Sequence, residues 1–371
     1  MSVARATVAL MRVPGASIEL AEVAIPELAE AEILVRLSGT GVCHIDLAAF
    51  EGGTPLQSPF VLGHEGAGTV VAVADGVTEL RVGDAVVLSY DHCTQCEQCT
   101  TGHPAYCELS VALNHGGARL DGTTTLAVGG QAVHGCWFGQ SSFATYAVAS
   151  IRNAVWVEPD LPLEILGPLG CDLLTGAGAV LNVLRPSAGQ SLVVFGVDSA
   201  GLAAIMAAKV AGCDPIVAVD LEKSRLELAA ELGATHTINS GETPDLPWDL
   251  ADIVGLGADF AIETIGSGEV VRAALESLKS PGRCVTLGGR GTENEITVDL
   301  GYLLIGRQLI GVPKGDADPH DLIPRLIELW RTGDFPFDRL IQKYPFERID
   351  DAVAAVRAGK AIKPVLIFEE A

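Results

Sequence analysis

Aromatic side chains are scarce in this chain: Phe, Trp and Tyr make up 5% of its 371 residues, although 49% of the residues are hydrophobic. The interior must therefore be built mainly from Val, Leu, Ile and Ala. Basic residues are also few, with 24 Lys and Arg against 47 Asp and Glu and a formal net charge of −23. Nothing here can neutralise phosphates in a row, which excludes nucleic acid as a partner. An anionic membrane surface is disfavoured for the same reason. The charge fits a salt-adapted protein or one that attracts cationic partners; the plainer reading is a solvated acidic surface that keeps the chain soluble. No apolar run approaches the roughly 20 residues that span a bilayer. The opening Met1-Ser2-Val3-Ala4-Arg5 leads straight into strand-like alternation and lacks the apolar core of a signal peptide. A cytoplasmic protein with no membrane partner is expected. Internal repeats and low-complexity linkers are absent too.

Glycine and cysteine are what the sequence has in quantity. The 42 glycines follow no fixed period, which implies tight turns and close backbone approaches rather than a fibre. Nine cysteines in a chain read as cytosolic do not point to disulfides. Cys93, Cys96, Cys99 and Cys107 form a C-x2-C-x2-C-x7-C cluster, which points to metal. Four thiolates at this spacing can close a tetrahedron around one zinc and leave no open position, so the site is structural. The rival metal reading is an iron–sulfur cluster, which also takes four cysteines.

The chain is long enough for two domains. Residues 1–172 carry short alternating runs such as Ile33-Leu34-Val35-Arg36-Leu37 and Gly68-Thr69-Val70-Val71-Ala72-Val73, punctuated by Gly and Pro, as in a β-barrel-like body. Residues 173–312 alternate apolar strands (Leu192–Phe195, Ile216–Val219, Phe260–Ile262, Arg283–Leu287) with amphipathic helices (Leu202–Val210, Arg225–Leu232, Val270–Leu278). That rhythm predicts a doubly wound parallel sheet. Residues 313–371 return to an irregular pattern, with helices near Leu322–Trp330 and Ile349–Arg357 and a last strand at Pro364–Phe368. A parallel-sheet domain inserted into another domain implies a cofactor cleft.

Two further constellations carry chemistry. Cys43, His64 and Cys171 are individually weak signals, but together they supply the Cys, His, Cys set that leaves a catalytic zinc one open position. Strand Leu192–Phe195 runs into Gly196-Val197-Asp198-Ser199-Ala200-Gly201 and then an Ala-rich helix, in the frame of G-x-G-x-x-G. Helix N-terminal amides there would face a pyrophosphate. Asp220 ends the next strand, 19 residues beyond Gly201, where it can accept bonds from ribose hydroxyls and repel a 2′-phosphate, selecting NAD over NADP.

The Gly63-His64-Glu65 segment, the four-cysteine lobe and the βαβ insertion resemble, in the same order and over essentially the whole chain, the zinc-containing medium-chain alcohol dehydrogenases. Within that family, Gln140-Ser141-Ser142-Phe143-Ala144-Thr145-Tyr146, Gly167-Pro168-Leu169-Gly170-Cys171 and Phe335-Pro336-Phe337-Asp338-Arg339-Leu340 resemble the aryl-alcohol and geraniol dehydrogenases. The resemblance implies an α/β fold: a GroES-like, β-barrel-type catalytic domain (1–172 and 313–371) around a Rossmann NAD-binding domain (173–312). It implies two zincs per subunit, NAD, a primary benzylic or allylic alcohol (or its aldehyde) as the small-molecule substrate, and a homodimer or homotetramer. By resemblance Cys43, His64 and Cys171 bind the catalytic zinc, Asp46 orients His64, and Glu65 sits behind the metal. His44 and Lys363 would meet the pyrophosphate, Arg225 the adenine ribose, and Thr175 and Ala200 the nicotinamide side. Sheet strands around Arg283–Leu287 and Leu309–Val312 are where a partner subunit would pair.

Two positions depart from the pattern. Asp198 stands where the fingerprint has its second glycine, so a carboxylate faces the phosphate or turns into solvent. At 4 Å it would cost about 1 kcal/mol in water and about 4 at an effective dielectric of about 20, so cofactor binding should be weakened rather than abolished. Ile45 stands where the family carries a Ser or Thr that starts a proton relay, and isoleucine can neither donate nor accept; Ala48 offers no imidazole. Ile45 keeps open a reductase or lyase on the same scaffold. A non-catalytic NAD-binding relative is the third reading, but such a protein would not need an open metal site. Trp137, Phe138 and Tyr90 could line an apolar substrate pocket or pack the scaffold; Cys136, Cys213 and Cys284 read as core or loop thiols.

Overall fold

A computed structural model of the chain describes residues 4–289 and 295–368. The described residues divide into two compact units. The first comprises Met1–Cys171, Asp318–Pro324 and Asp338–Ala371, and the second Asp172–Ala317 and Arg325–Phe337. Residues 313–317 and 325–337, read from the sequence with the first domain, pack with the second. For the first of these the reason is local: Asn182 Nδ2 donates to the Gly315 and Asp316 carbonyls. No single helix among the described residues is long and apolar enough to cross a membrane.

The first unit is built on two sheets. One runs in the order Phe60–Val61, Ala4–Met11, Glu19–Ile25, Leu126–Val128, Gln131–Val133. The other runs Ala154–Val157, Ala85–Leu88, Gly66–Val73, Glu32–Gly41, Lys363–Ile367, Ile341–Pro345, and Tyr146–Ser150 also pairs with Glu32–Gly41. Between neighbouring strands all pairings are antiparallel except Ile341–Pro345 with Lys363–Ile367. Ile33, Val35 and Leu37 alternate along their strand, so all three point into a core shared with Val70, Val86, Leu88 and Ala147.

The second unit holds a six-stranded, all-parallel sheet in the order His236–Asn239, Ile216–Asp220, Leu192–Phe195, Ala258–Glu263, Leu278–Thr286, Arg307–Gly311. Counted from its first strand this is 3-2-1-4-5-6, the doubly wound dinucleotide-binding order, with the switch beside Leu192–Phe195. Buried on both faces, the central strands read as continuous apolar runs, Leu192-Val193-Val194-Phe195 and Ile216-Val217-Ala218-Val219. Helices Ser199–Ala211, Lys223–Leu232 and Gly268–Glu276 lie close to their sequence-predicted places. Strand His236–Asn239 and helix Leu246–Val254 were not foreseen; the strand is short, sits at the sheet edge and exposes His236 and Thr237.

Candidate metal centres and dinucleotide loop

Cys43 ends an extended segment (φ −108°, ψ 154°) and caps helix His44–Phe50. Three residues into the turn, Asp46 returns its Oδ2 to the Cys43 N–H at 3.2 Å, so one helix start sets both side chains. His64 follows Gly63, whose φ of +89° and close approach to Phe143 N admit no side chain. Cys171 follows the 3-10 turn Gly167–Gly170. These three arrive from separate stretches of the first unit, and their donor atoms, with one from Glu65, all lie within 4.8 Å of one another and are buried. His64 Nε2 stands 3.2 Å from Cys171 Sγ, while Nδ1 stands 2.8 Å from Asp46 Oδ1.

Two thiols and an imidazole nitrogen converging in a buried space suit one borderline-soft divalent cation with a position to spare. The local electrostatics agree. Burial pushes the Cys43 thiol up, but Cys171, His44 and His64 hold it well below the usual thiol range. Burial disfavours charge on His64 too, yet Asp46 and Cys43 hold its imidazole well above the usual range. A buried thiol held toward its thiolate form in a dry interior is a donor suited to a cation. In the same cluster, Glu65 (0% exposed) meets Lys363 Nζ at 3.0 and 3.1 Å. Lys363, expected to reach a pyrophosphate, is itself 1% exposed and has Glu65 as its immediate partner, because a carboxylate buried that deeply needs a counter-charge.

Cys93, Cys96, Cys99 and Cys107 bring their sulfurs within 4.8 Å of one another, with Cys93 and Cys99 Sγ atoms 3.9 Å apart. A tetrahedron with zinc–sulfur bonds of about 2.3 Å has edges of about 3.8 Å. That spacing closes round a single ion; an iron–sulfur cluster, whose cysteines bind separate irons, needs a wider spread. Backbone N–H groups of Cys96 and Cys93 donate to Cys93 and Cys107 Sγ at 3.3 and 3.2 Å, as they would to thiolates. Amides of Glu108 and Cys99 hold the Cys96 thiol down to about 6, while burial pushes Cys99 up to about 12. Elsewhere burial pushes Cys136 and Cys213 up to about 11 and Cys284 to about 12, so these stay neutral core or loop thiols.

In the second unit, Gly196 leaves its strand with φ +89°, and a Cβ on Gly201 would stand 2.0 Å from the Gly196 carbonyl oxygen. The first and third glycines of the fingerprint are thus sterically required. Asp198 turns back onto the helix start: it is the N-cap of helix Ser199–Ala211, its Oδ1 accepting from Gly201 N–H at 2.9 Å. A carboxylate beside free helix amides satisfies them itself. Asp220 Oδ2 accepts from Val197 N–H at 2.7 Å, tying the loop to the neighbouring strand end. Arg225 Nη1 lies 4.0 Å from that oxygen, and its Nε is buried without a hydrogen-bond partner among the described residues, a donor suited to a bound ribose. Ala200 lies buried in the first turn of the helix, and Thr175 lies half-buried on helix Asp172–Gly178.

His44 is exposed, Ile45 is half-buried and Ala48 is exposed, so the start of this helix presents no hydroxyl to the cation site. Trp137, Phe138 and Tyr90 are all buried. The Phe138 ring stacks on the His64 imidazole, 4.4 Å between centroids and 23° apart in plane, and Trp137 Nε1 donates to Asp46. Sequence reasoning missed both contacts, because residues so far apart, 91 positions for Trp137 and Asp46, leave no mark of their meeting in the linear pattern.

The alcohol dehydrogenase GroES-like domain family matches residues 29–159, and the zinc-binding dehydrogenase family matches residues 200–329. Geraniol dehydrogenase of Castellaniella defragrans is 42% identical over 365 residues, covering 98% of each chain. The chain belongs to the zinc-dependent alcohol dehydrogenases. Benzyl alcohol dehydrogenase of Acinetobacter calcoaceticus superposes with a TM-score of 0.95 at 40% identity, over 99% of this chain and 100% of its own. A zinc-binding-domain alcohol dehydrogenase protein of Burkholderia ambifaria reaches 0.97 at 43% identity over 99% and 100% of the two chains. S-(hydroxymethyl)glutathione dehydrogenase of Escherichia coli is more distant, 34% identical over 96% and 97%. The dehydrogenase is thus an oxidoreductase of small-molecule alcohols with zinc and NAD as cofactors, and the reading as a non-catalytic relative falls away.

Proposed function

We propose that this dehydrogenase interconverts a primary benzylic or allylic alcohol and its aldehyde, with Cys43, His64 and Cys171 holding the catalytic zinc and Cys93, Cys96, Cys99 and Cys107 the structural one. The observation that carries the substrate class is the near-full-length similarity to the geraniol and benzyl alcohol dehydrogenases. When bound, zinc supplies Lewis acidity toward the alcohol oxygen and NAD supplies the hydride acceptor. The chain's own residues do the rest. Asp46 fixes the ring and tautomer of His64, so that Nε2 is left for the metal. Glu65 and Lys363 form a neutral pair behind the site. Gly196, Gly201 and the helix start shape the pyrophosphate turn, Asp198 restrains it, Asp220 and Arg225 take the adenosine ribose, and Thr175 and Ala200 serve the nicotinamide end. His44, exposed beside Cys43, would meet the cofactor phosphates or pass the substrate proton in place of a hydroxyl at position 45.

The test is NADH formation at 340 nm with benzyl, cinnamyl and geranyl alcohols, on wild type and Ile45→Thr together. Turnover by wild type, raised up to about 100-fold in the variant, is expected, since general acid–base help is worth about 10²–10⁴. Silence from wild type across the panel, with activity in Ile45→Thr, would overturn the assigned substrate reaction. We further propose a cytoplasmic homodimer or homotetramer paired along Arg307–Gly311. That strand, unlike Leu278–Thr286, is an edge strand of the parallel sheet, the one at the end opposite His236–Asn239.

A further inference from the structure

Three residues between positions 136 and 141 adopt left-handed backbone angles that side-chain-bearing residues avoid: Cys136 (φ 62°), Phe138 (φ 51°) and Ser141 (φ 52°). Such a run persists only where its surroundings over-determine it, and here the anchors are explicit. Ser141 Oγ donates to the Val61 carbonyl at 2.7 Å and accepts the Trp137 N–H at 3.0 Å. Gln140 accepts from Gly66 N–H at 3.0 Å and donates to the His64 and Ser89 carbonyls at 2.9 and 3.0 Å. Phe138 covers one face of the His64 ring. Trp137, 1% exposed, directs its indole N–H to Asp46 Oδ1 at 2.9 Å. The segment therefore grips His64 by its backbone, its ring face and its carboxylate partner.

Asp46 shows why the indole matters. Its Oδ2 accepts one backbone N–H, from Cys43. Its Oδ1 meets three donors: Gly63 N–H at 3.1 Å, His64 Nδ1 at 2.8 Å and Trp137 Nε1 at 2.9 Å. Three donors around Oδ1 and one on Oδ2 fix the carboxylate; without the indole, Oδ1 keeps two donors and the group is held less tightly against rotation about its own bond. A swing of the carboxylate turns the imidazole with it and moves Nε2 off the point it shares with Cys43 and Cys171.

We propose that Trp137 is a positioning residue for the zinc-binding imidazole of His64, acting through Asp46. The proposal rests on the reading of Cys43, His64 and Cys171 as zinc ligands. Outer partners of metal ligands typically govern affinity by 10–100-fold, and Trp137→Phe keeps the aromatic bulk while removing the donor. In the zinc-loaded enzyme, competition with a chromophoric chelator should show one zinc per chain held about 10-fold or more weakly in Trp137→Phe, with the second unchanged. Cobalt substituted at the weakened site should show a shifted visible spectrum. The decisive measurement is the double-mutant cycle with Asp46→Ala, which leaves the indole no acceptor. If the indole acts through the carboxylate, Trp137→Phe adds nothing to the loss already caused by Asp46→Ala. Wild-type zinc retention in Trp137→Phe, or a loss repeated in full on the Asp46→Ala background, overturns the proposal. Should Trp137→Phe fail to fold, benzothienylalanine at position 137 keeps the bicyclic shape, lacks only the N–H, and is read the same way. Failure of the underlying reading looks different: Cys171→Ser would then keep both zincs.

Discussion

Asp198 is the residue at which this chain parts most clearly from its fingerprint. A glycine there would leave the Gly201 N–H open to a cofactor phosphate; the aspartate occupies that donor and adds a negative charge. Replacing a capping Asp by Gly costs only a few tenths of a kcal/mol in helix stability, against about 1 to 4 kcal/mol of charge repulsion removed from the pyrophosphate. Asp198→Gly should therefore tighten NADH about 10-fold or more in a fluorescence titration while moving the melting temperature little. An unchanged dissociation constant would mean that the carboxylate stays clear of the phosphates in the complex.

The cysteine lobe makes its argument as an element. Helix Glu97–Thr100 has four residues and no buried side chain, and turn Pro104–Tyr106 has three. Helices this short are not stable by themselves, and the proposed zinc would supply what they lack. Metal binding of this kind contributes on the order of 10 kcal/mol to local order. Cys96→Ser should lose one zinc per chain by metal analysis and expose residues 93–107 to limited proteolysis; a lobe that remains protected would show that packing holds it. Cys171, set at the end of the turn Gly167–Gly170, gives the complementary case. Cys171→Ser should lose the other zinc and all activity while the lobe stays resistant, and retention of both metals would disprove the ligand assignment.

For the whole molecule, the net charge of −23 predicts a stability that depends on salt. Crowded carboxylates repel one another most in the compact state, and salt shortens the range of that repulsion to about 8 Å at physiological strength and about 3 Å at 1 M. The melting temperature should rise by several degrees between dilute buffer and about 1 M salt, as followed by circular dichroism. A flat or falling trend would show that ion pairs such as Arg119–Glu32 and Arg152–Asp91 outweigh the general repulsion.

What the sequence determined by itself is whatever rests on short-range pattern. The doubly wound parallel sheet, though not its strand order, follows from apolar strands alternating with helices, the four-sulfur site from a spacing that spans one loop, and the dinucleotide turn from glycines whose steric need is local. Convergence across long stretches of chain was decided only by the tertiary structure. The Asp46 oxygen draws on Gly63, His64 and Trp137; the Lys363 ammonium goes to a carboxylate 298 positions away; and residues 313–317 join the parallel-sheet unit through Asn182. No periodicity encodes such meetings, because they depend on which buried charge needs a partner once the chain has closed around it.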